Sequence, residues 1–139
     1  MDDITIGDDD LPELVALLDG RIYEFNVAAS GIGDGRMLNA AIRDDAGEIV
    51  AGISGYTWGG TCKVEHLWVA ESLRGRGIGS ALLLAAEREA RARGCHQMVL
   101  ETHSFQAPAF YERHGFRRVA AIPDFPLGSE KLLCRKMLD

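Results

Sequence analysis

The run Arg74-Gly75-Arg76-Gly77-Ile78-Gly79-Ser80 constrains the fold more tightly than any other part of the chain. It follows an apolar stretch, Leu67-Trp68-Val69, and opens a long helical pattern from Ile78 to Arg93. The order is therefore strand, glycine-rich turn, helix N-terminus. Glycines in such a turn reach positive φ and put no Cβ in the way of a ligand. The first N–H groups of a helix lack partners within it, and the macrodipole adds partial positive charge there. That combination suits phosphate, and Arg74 and Arg76 add cationic side chains. The centre of the chain reads as a seat for a diphosphate.

The rest of the chain supplies a sheet around that seat. Ile4-Thr5-Ile6 alternates as a short first strand. Asp8-Asp9-Asp10-Leu11-Pro12-Glu13 is a helix start, followed by Leu14, Leu17 and Leu18 at helical spacing. Arg21 to Ala29 reads as a second helical segment. After a loop at Gly31–Gly35, Met37–Arg43 and Glu48–Trp58 form a hairpin around Asp44–Gly47, and Cys62–Val69 adds a third antiparallel strand. The helix from Ile78 is rich in strong helix formers, carries Glu87/Arg91 and Glu89/Arg93 pairs, and stops at Gly94. Met98-Val99-Leu100 follows as a buried strand, parallel to Cys62–Val69 across that helix. Ser104 is placed to cap a short helix to Arg113. Arg117–Ile122 and Lys131–Leu138 close the sheet. The glycines of Gly52-Ile53-Ser54-Gly55 signal close backbone packing within a strand.

Other phosphate and nucleophile motifs fail on spacing. A dinucleotide fingerprint has a third glycine where Ser80 stands, and it opens a doubly wound fold rather than following a meander. A Walker loop requires a lysine that is absent here. Gly52-Ile53-Ser54-Gly55 misses the nucleophile-elbow spacing by a residue.

A chain of 139 residues is read as one domain, 1–139. A net charge of −6 argues against nucleic-acid binding. No apolar run is long enough for a membrane span, and Met1-Asp2-Asp3 does not begin a basic leader. Cys62, Cys95 and Cys134 are widely spaced, which fits reduced thiols, core filling and a cytoplasmic location. His66, His96, His103 and His114 lack zinc-ligand spacing, so no metal is expected. Residues 1–60 hold twelve acidic and three basic side chains, whereas residues 61–139 hold nine and twelve. The acidic part, including Asp34, Asp44, Asp45 and Glu48, either steers a cationic partner or only solvates the surface.

The pattern Arg74-x-x-Gly77-x-Gly79, with strand before and helix after, resembles the pyrophosphate motif of the GNAT superfamily of acyl-CoA-dependent N-acetyltransferases. The stretch Phe110-Tyr111-Glu112-Arg113-His114-Gly115-Phe116, one strand further on, is similar to that family's second signature. Leu67-Trp68-Val69 and Ser104-Phe105-Gln106-Ala107-Pro108 look like a group of small bacterial members. The resemblance implies an α/β (α+β) fold: a mixed, mostly antiparallel sheet of six to seven strands, flanked by helices, with a splayed parallel pair at its centre.

It also implies roles. Acetyl-CoA would be the co-substrate, bound at Arg74, Gly75, Arg76, Gly77, Ile78, Gly79 and Ser80: the backbone of Arg76 to Ser80 would hold it, with the Ser80 hydroxyl as an extra donor. Its pantetheine would lie along Leu67, Trp68 and Val69. Arg74 either touches phosphate or fixes the turn, and Arg113 and Arg117 either reach the adenosine 3′-phosphate or only solvate the surface. Tyr111, protonated at neutral pH with an ordinary pKa near 10, is the candidate acid for the leaving thiolate. Glu65 is the first candidate base, and alternation places it on one face with Leu67 and Val69; Glu101, His66 and water remain open. The acceptor would be a primary amine of a small molecule or peptide, set by the loops at Gly31–Arg36 and Asp124–Ser129. An open sheet edge allows a homodimer. The alternative is a non-catalytic acyl-CoA-binding regulatory module of the same fold.

Overall fold

The computed structural model describes residues 3–139, and these divide into two compact units, one ending at Gly33 and the other Asp34–Asp139. The first unit holds one helix, α1 (Pro12–Ser30). Pro12 stands in its first turn, where an N–H would have no partner anyway. Gly31 ends the helix at φ 76°, its N–H donating to the Val27 carbonyl. The two helical segments expected from the sequence are one 19-residue helix. Gly20 costs only about 1 kcal/mol relative to alanine inside a helix, too little to interrupt good helix formers on both sides. The strand expected at Ile4–Ile6 does not form; both isoleucines are exposed and pair with no strand.

The second unit is built on a six-stranded sheet of order β1-β2-β3-β4-β6-β5. Strands β1 (Arg36–Arg43), β2 (Ile49–Trp58) and β3 (Thr61–Val69) form the antiparallel meander. Helix α2 (Ile78–Ala92) then crosses to β4 (Gln97–His103), which lies parallel to β3. After a short helix, α3 (Pro108–Arg113), strands β5 (Arg117–Pro123) and β6 (Glu130–Met137) finish the sheet. β6 inserts beside β4 and leaves β5 at the edge. This is the mixed, mostly antiparallel architecture the resemblance implied, with six strands.

Leu38, Ile53, Cys62, Val64, Met98, Leu100, Leu132 and Cys134 bury one face of the sheet against Leu82, Leu83, Ala86 and Ala90 of α2. Leu82, Ala86 and Ala90 recur at the i, i+4 spacing of an amphipathic helix, and Leu83 widens the same apolar stripe. Arg93, just past α2, bonds to the Met37 carbonyl and Thr57 hydroxyl (3.0 and 3.1 Å) as well as to Glu89. It fastens the end of the helix to β1 and β2. All three cysteines are buried and unpaired, and burial pushes the Cys62 thiol up to about 11. Ser104 does not cap α3. Its N–H and hydroxyl both bond to the Glu130 backbone (2.9 and 3.0 Å), tying the end of β4 to the start of β6. Pro108 then starts α3 without a side-chain cap.

Two local features shape the middle of the sheet. The β2–β3 register slips between Ser54/His66 and Gly55/Val64, leaving Glu65 as an extra residue in a β-bulge. Gly55 is obligatory there, because a Cβ would lie 2.0 Å from the Lys63 carbonyl oxygen. Secondly, β3 and β4 pair only from Thr61/Gln97 to Val64/Leu100. Beyond Val64 the parallel strands part.

Candidate active site

A cleft of about 540 Å³ opens where β3 and β4 separate. Residues 67–69 of β3 form one wall. Leu73, Arg74, Gly75 and residues 77–80 form the turn and the start of α2, and Ala107, Phe110, Tyr111 and Arg113 of the α3 region close the other side. The structure thus gathers nine of the ten expected cofactor residues, from Leu67 to Ser80, around one cavity, with Tyr111 beside them. Arg76 does not line it.

The turn is built as its glycines require. A single 3₁₀ turn, Glu71–Leu73, leads to an extended Arg74. Gly75 and Gly77 then take φ of 78° and 79°, a region costly for residues with a Cβ. Gly77 is the N-cap of α2, and no side chain caps that end. The first intrahelical bond runs from Ala81 N–H to the Gly77 carbonyl. The N–H groups of Ile78, Gly79 and Ser80 precede it, at the positive end of the helix dipole and on the cleft wall. Gly79 has ordinary φ; a Cβ there would meet Phe110 and Val69 at 3.6 and 3.8 Å, so any longer side chain would enter the cleft.

Arg74 fixes the turn: its Nε donates to the Val69 carbonyl at 3.0 Å. The peptide groups of β3 follow from one bond. Ala70 N–H donates to Val50 on β2 (2.8 Å). Backbone groups alternate along a strand, so those of Trp68 also face β2, while those of Leu67 and Val69 face the gap. No β4 residue is paired opposite them.

Tyr111 packs edge-on against Phe110 and Phe116, at 5.1 and 5.9 Å between ring centroids. Burial, then repulsion from the nearby Cys134 sulfur, raises its phenol above the ordinary value. The proton stays on at neutral pH.

The candidate bases separate clearly. Glu65 is exposed and does not line the cleft. Because it is the extra residue of the bulge, alternation counted from Leu67 does not extend to it, and the expectation of a shared face is corrected. Glu101 is held by Lys131 at 2.9 Å and Lys63 at 3.7 Å. The hydrogen bond from Lys131 is the main reason its carboxyl lies below the usual range, despite some desolvation, which makes it a weaker base. His66 Nδ1 pairs with the Ser54 hydroxyl at 3.1 Å. Two of the acids singled out in the first part of the chain serve turns: Asp34 accepts from Gly59 N–H, and Asp44 from Ala46 and Glu48 N–H. Arg113 lines the cleft whereas Arg117 does not. Among the described residues no three His, Cys, Asp or Glu side chains converge as a metal site, and no helix is long and apolar enough to cross a membrane.

Sequence reasoning missed His114, whose Nε2 lies 2.9 Å from Ser80 Oγ, and the wall residues Leu73 and Phe110. Phe110 and His114 are four apart on the end of one helix, a spacing that places both on one side. Their common target on α2 is set by tertiary structure alone.

Residues 9–116 match the acetyltransferase (GNAT) family. An acetyltransferase of Agrobacterium fabrum is 40% identical over 101 residues, 73% of this chain and 74% of its own. The blasticidin-S acetyltransferase of Streptomyces morookaense is 42% identical over 95 residues, covering 68% of this chain and 70% of that protein. The crystal structure of an acetyltransferase from Agrobacterium tumefaciens superposes with a TM-score of 0.86 at 32% identity, over 98% of this chain and 99% of that one.

Proposed function

The chain belongs to the GNAT acetyltransferase family and is an acetyl-CoA-dependent acetyltransferase, and we propose that it transfers the acetyl group to a primary amine by direct attack in a ternary complex. The family match spans both compact units, which supports reading residues 1–139 as one catalytic domain. Three unpaired, buried thiols fit a cytoplasmic location.

The observation that carries this reading is the uncapped N-terminus of α2 at one end of a cleft between parted strands. The cofactor's diphosphate sits against the N–H groups of residues 77–80, with Arg113 supplying charge. Its pantetheine runs along β3 as an added strand, meeting the outward peptide groups of Leu67 and the N–H of Val69, whose carbonyl holds Arg74. A peptide N–H at Leu67 polarises the thioester carbonyl and holds the oxyanion that forms there.

The acceptor amine, once deprotonated, attacks the carbonyl carbon. The tetrahedral intermediate gives the remaining ammonium proton to solvent and collapses as its C–S bond breaks, and the departing thiolate takes the phenolic proton of Tyr111. Solvent then reprotonates the tyrosinate. Glu65 takes the proton from the amine through water, since its carboxylate stands outside the cleft wall. Glu101 is disfavoured by its two lysine partners and His66 by its bond to Ser54.

A cationic acceptor draws less support than the charge count implied, because Asp34 and Asp44 hold backbone N–H groups. The test is a thiol-release assay with acetyl-CoA against small amines, polyamines, aminoglycosides, basic peptides and blasticidin-S, the last taken from the Streptomyces relative. Amine-dependent release of CoA with at least one member is expected. Release equal to background hydrolysis across the panel would overturn transfer to an amine.

A further inference from the structure

The end of α3 meets the start of α2 through one polar contact. Ser80 Oγ and His114 Nε2 are 2.9 Å apart and partly buried. Ser80 is in the first turn of α2 and lines the cleft. His114 is the C-cap of α3 and does not line it. Its ring packs against Phe110, 4.9 Å between centroids, and Phe110 is part of the cleft wall. The imidazole therefore stands behind the wall, reaching the cleft through the serine.

We propose that His114 is a positioning residue for cofactor binding: it orients the Ser80 hydroxyl so that its proton points at the bound diphosphate. The proposal rests on the acetyl-CoA reading of the cleft. A serine hydroxyl has one proton to give and two lone pairs. If Nε2 carries hydrogen, it donates to Oγ, and the Ser80 proton is free for an anion. If Nε2 is bare, the hydroxyl spends its proton on the ring and turns a lone pair toward the anion. A diphosphate at the head of α2 thus selects the first arrangement. The chain of donors runs from imidazole to hydroxyl to phosphate oxygen, and each bond polarises the next. No bond other than hydrogen bonds forms or breaks. The arrangement adds a directed hydroxyl donor to a seat made of peptide N–H groups and the Arg113 charge.

Calorimetric titration of acetyl-CoA into five proteins tests this: wild type, Ser80→Ala, His114→Met, the double variant and His114→Gln. Methionine keeps bulk beside Phe110 and removes the nitrogen; glutamine returns an N–H near the place of Nε2. Ser80→Ala and His114→Met are each expected to weaken binding about five- to tenfold, within the range of one net hydrogen bond. The double variant should be no weaker than Ser80→Ala, because His114 acts only through that hydroxyl. His114→Gln should come within about twofold of wild type, whatever it does to the melting temperature. Multiplying losses in the double variant, a glutamine no better than methionine, or a His114→Met protein that melts earlier but binds as wild type would each overturn the proposal. Absence of heat with wild type would bring down the cofactor reading and this proposal together. Normal wild-type binding with any of the three preceding outcomes removes only the role of His114.

Discussion

The first four residues of β3 and the last five lie on one strand yet differ in what stands beside them. From Thr61 to Val64, β3 is zipped to β4 in register, and Cys62 and Val64 are buried with Met98 and Leu100. From Glu65 to Val69 the neighbour has gone, and residues 67–69 line the cleft. The bulge at Glu65 and the end of β3–β4 pairing coincide. Backbone groups that make structure in the first half become available for a ligand in the second. The difference shows that a sheet can build a binding site by withholding a pairing that the same strand makes a few residues earlier.

The first way to break this contrast is to block the open half alone. Gly79→Glu adds a carboxylate at a residue of ordinary φ, beside the diphosphate seat. Acetyl-CoA affinity should fall at least about a thousandfold through lost charge-assisted bonds and like-charge repulsion, with thermal unfolding little changed. Tight binding by the variant would place the cofactor elsewhere.

Tyr111→Phe comes next. It should lower kcat roughly a hundredfold, as for loss of a positioned acid, while calorimetry gives an acetyl-CoA Kd within about twofold of wild type. The raised phenol of Tyr111 also predicts that the alkaline fall in kcat begins above the ordinary tyrosine range. An unaltered turnover number in the variant would remove Tyr111 from the chemistry.

The zipped half has its own titration. Cys62 moves from 9.0 to about 11 on folding, chiefly by burial. The folded state holds that proton more tightly than the unfolded chain. The contribution to stability is therefore complete below pH 9 and is lost as pH rises toward 11, by up to about 2–3 kcal/mol. Denaturant titrations at pH 8, 9, 10 and 11 should show this fall, and Cys62→Ala should reduce it, the remainder belonging to Cys95, Cys134 and Tyr111, which burial also raises. A slope unchanged by the substitution would assign alkaline sensitivity to other groups.

Glu65→Gln at the junction should have the smallest effect. About a tenfold loss in kcat/KM is expected, since a water relay retains part of the function, with the acetyl-CoA Kd unchanged. A kcat/KM equal to wild type would leave the amine to lose its proton to bulk water.

What could be read from the chain tracks the range of the forces involved. α2 was legible because its helix formers, ion pairs and terminal glycine act within a few residues. The phosphate turn was legible because Gly75 and Gly77 are demanded by their own φ angles. The bulge was not. Gly55 is required by the carbonyl of Lys63 on another strand, and without that contact alternation put Glu65 on the wrong footing. The same limit hid the lysine pair on Glu101 and the partner of Ser80, thirty-four residues away. Ser104 looked like a helix cap because capping is the local use of serine; its actual partner, Glu130, arrives with β6.

Amide hydrogen exchange with and without saturating acetyl-CoA compares the two halves of β3 within one experiment. Cofactor should slow exchange at Leu67, Val69 and residues 77–80, and leave residues 61–64, already bonded to their neighbours, unchanged. Saturable binding that leaves the first group as fast as in the free protein would contradict the account at its centre.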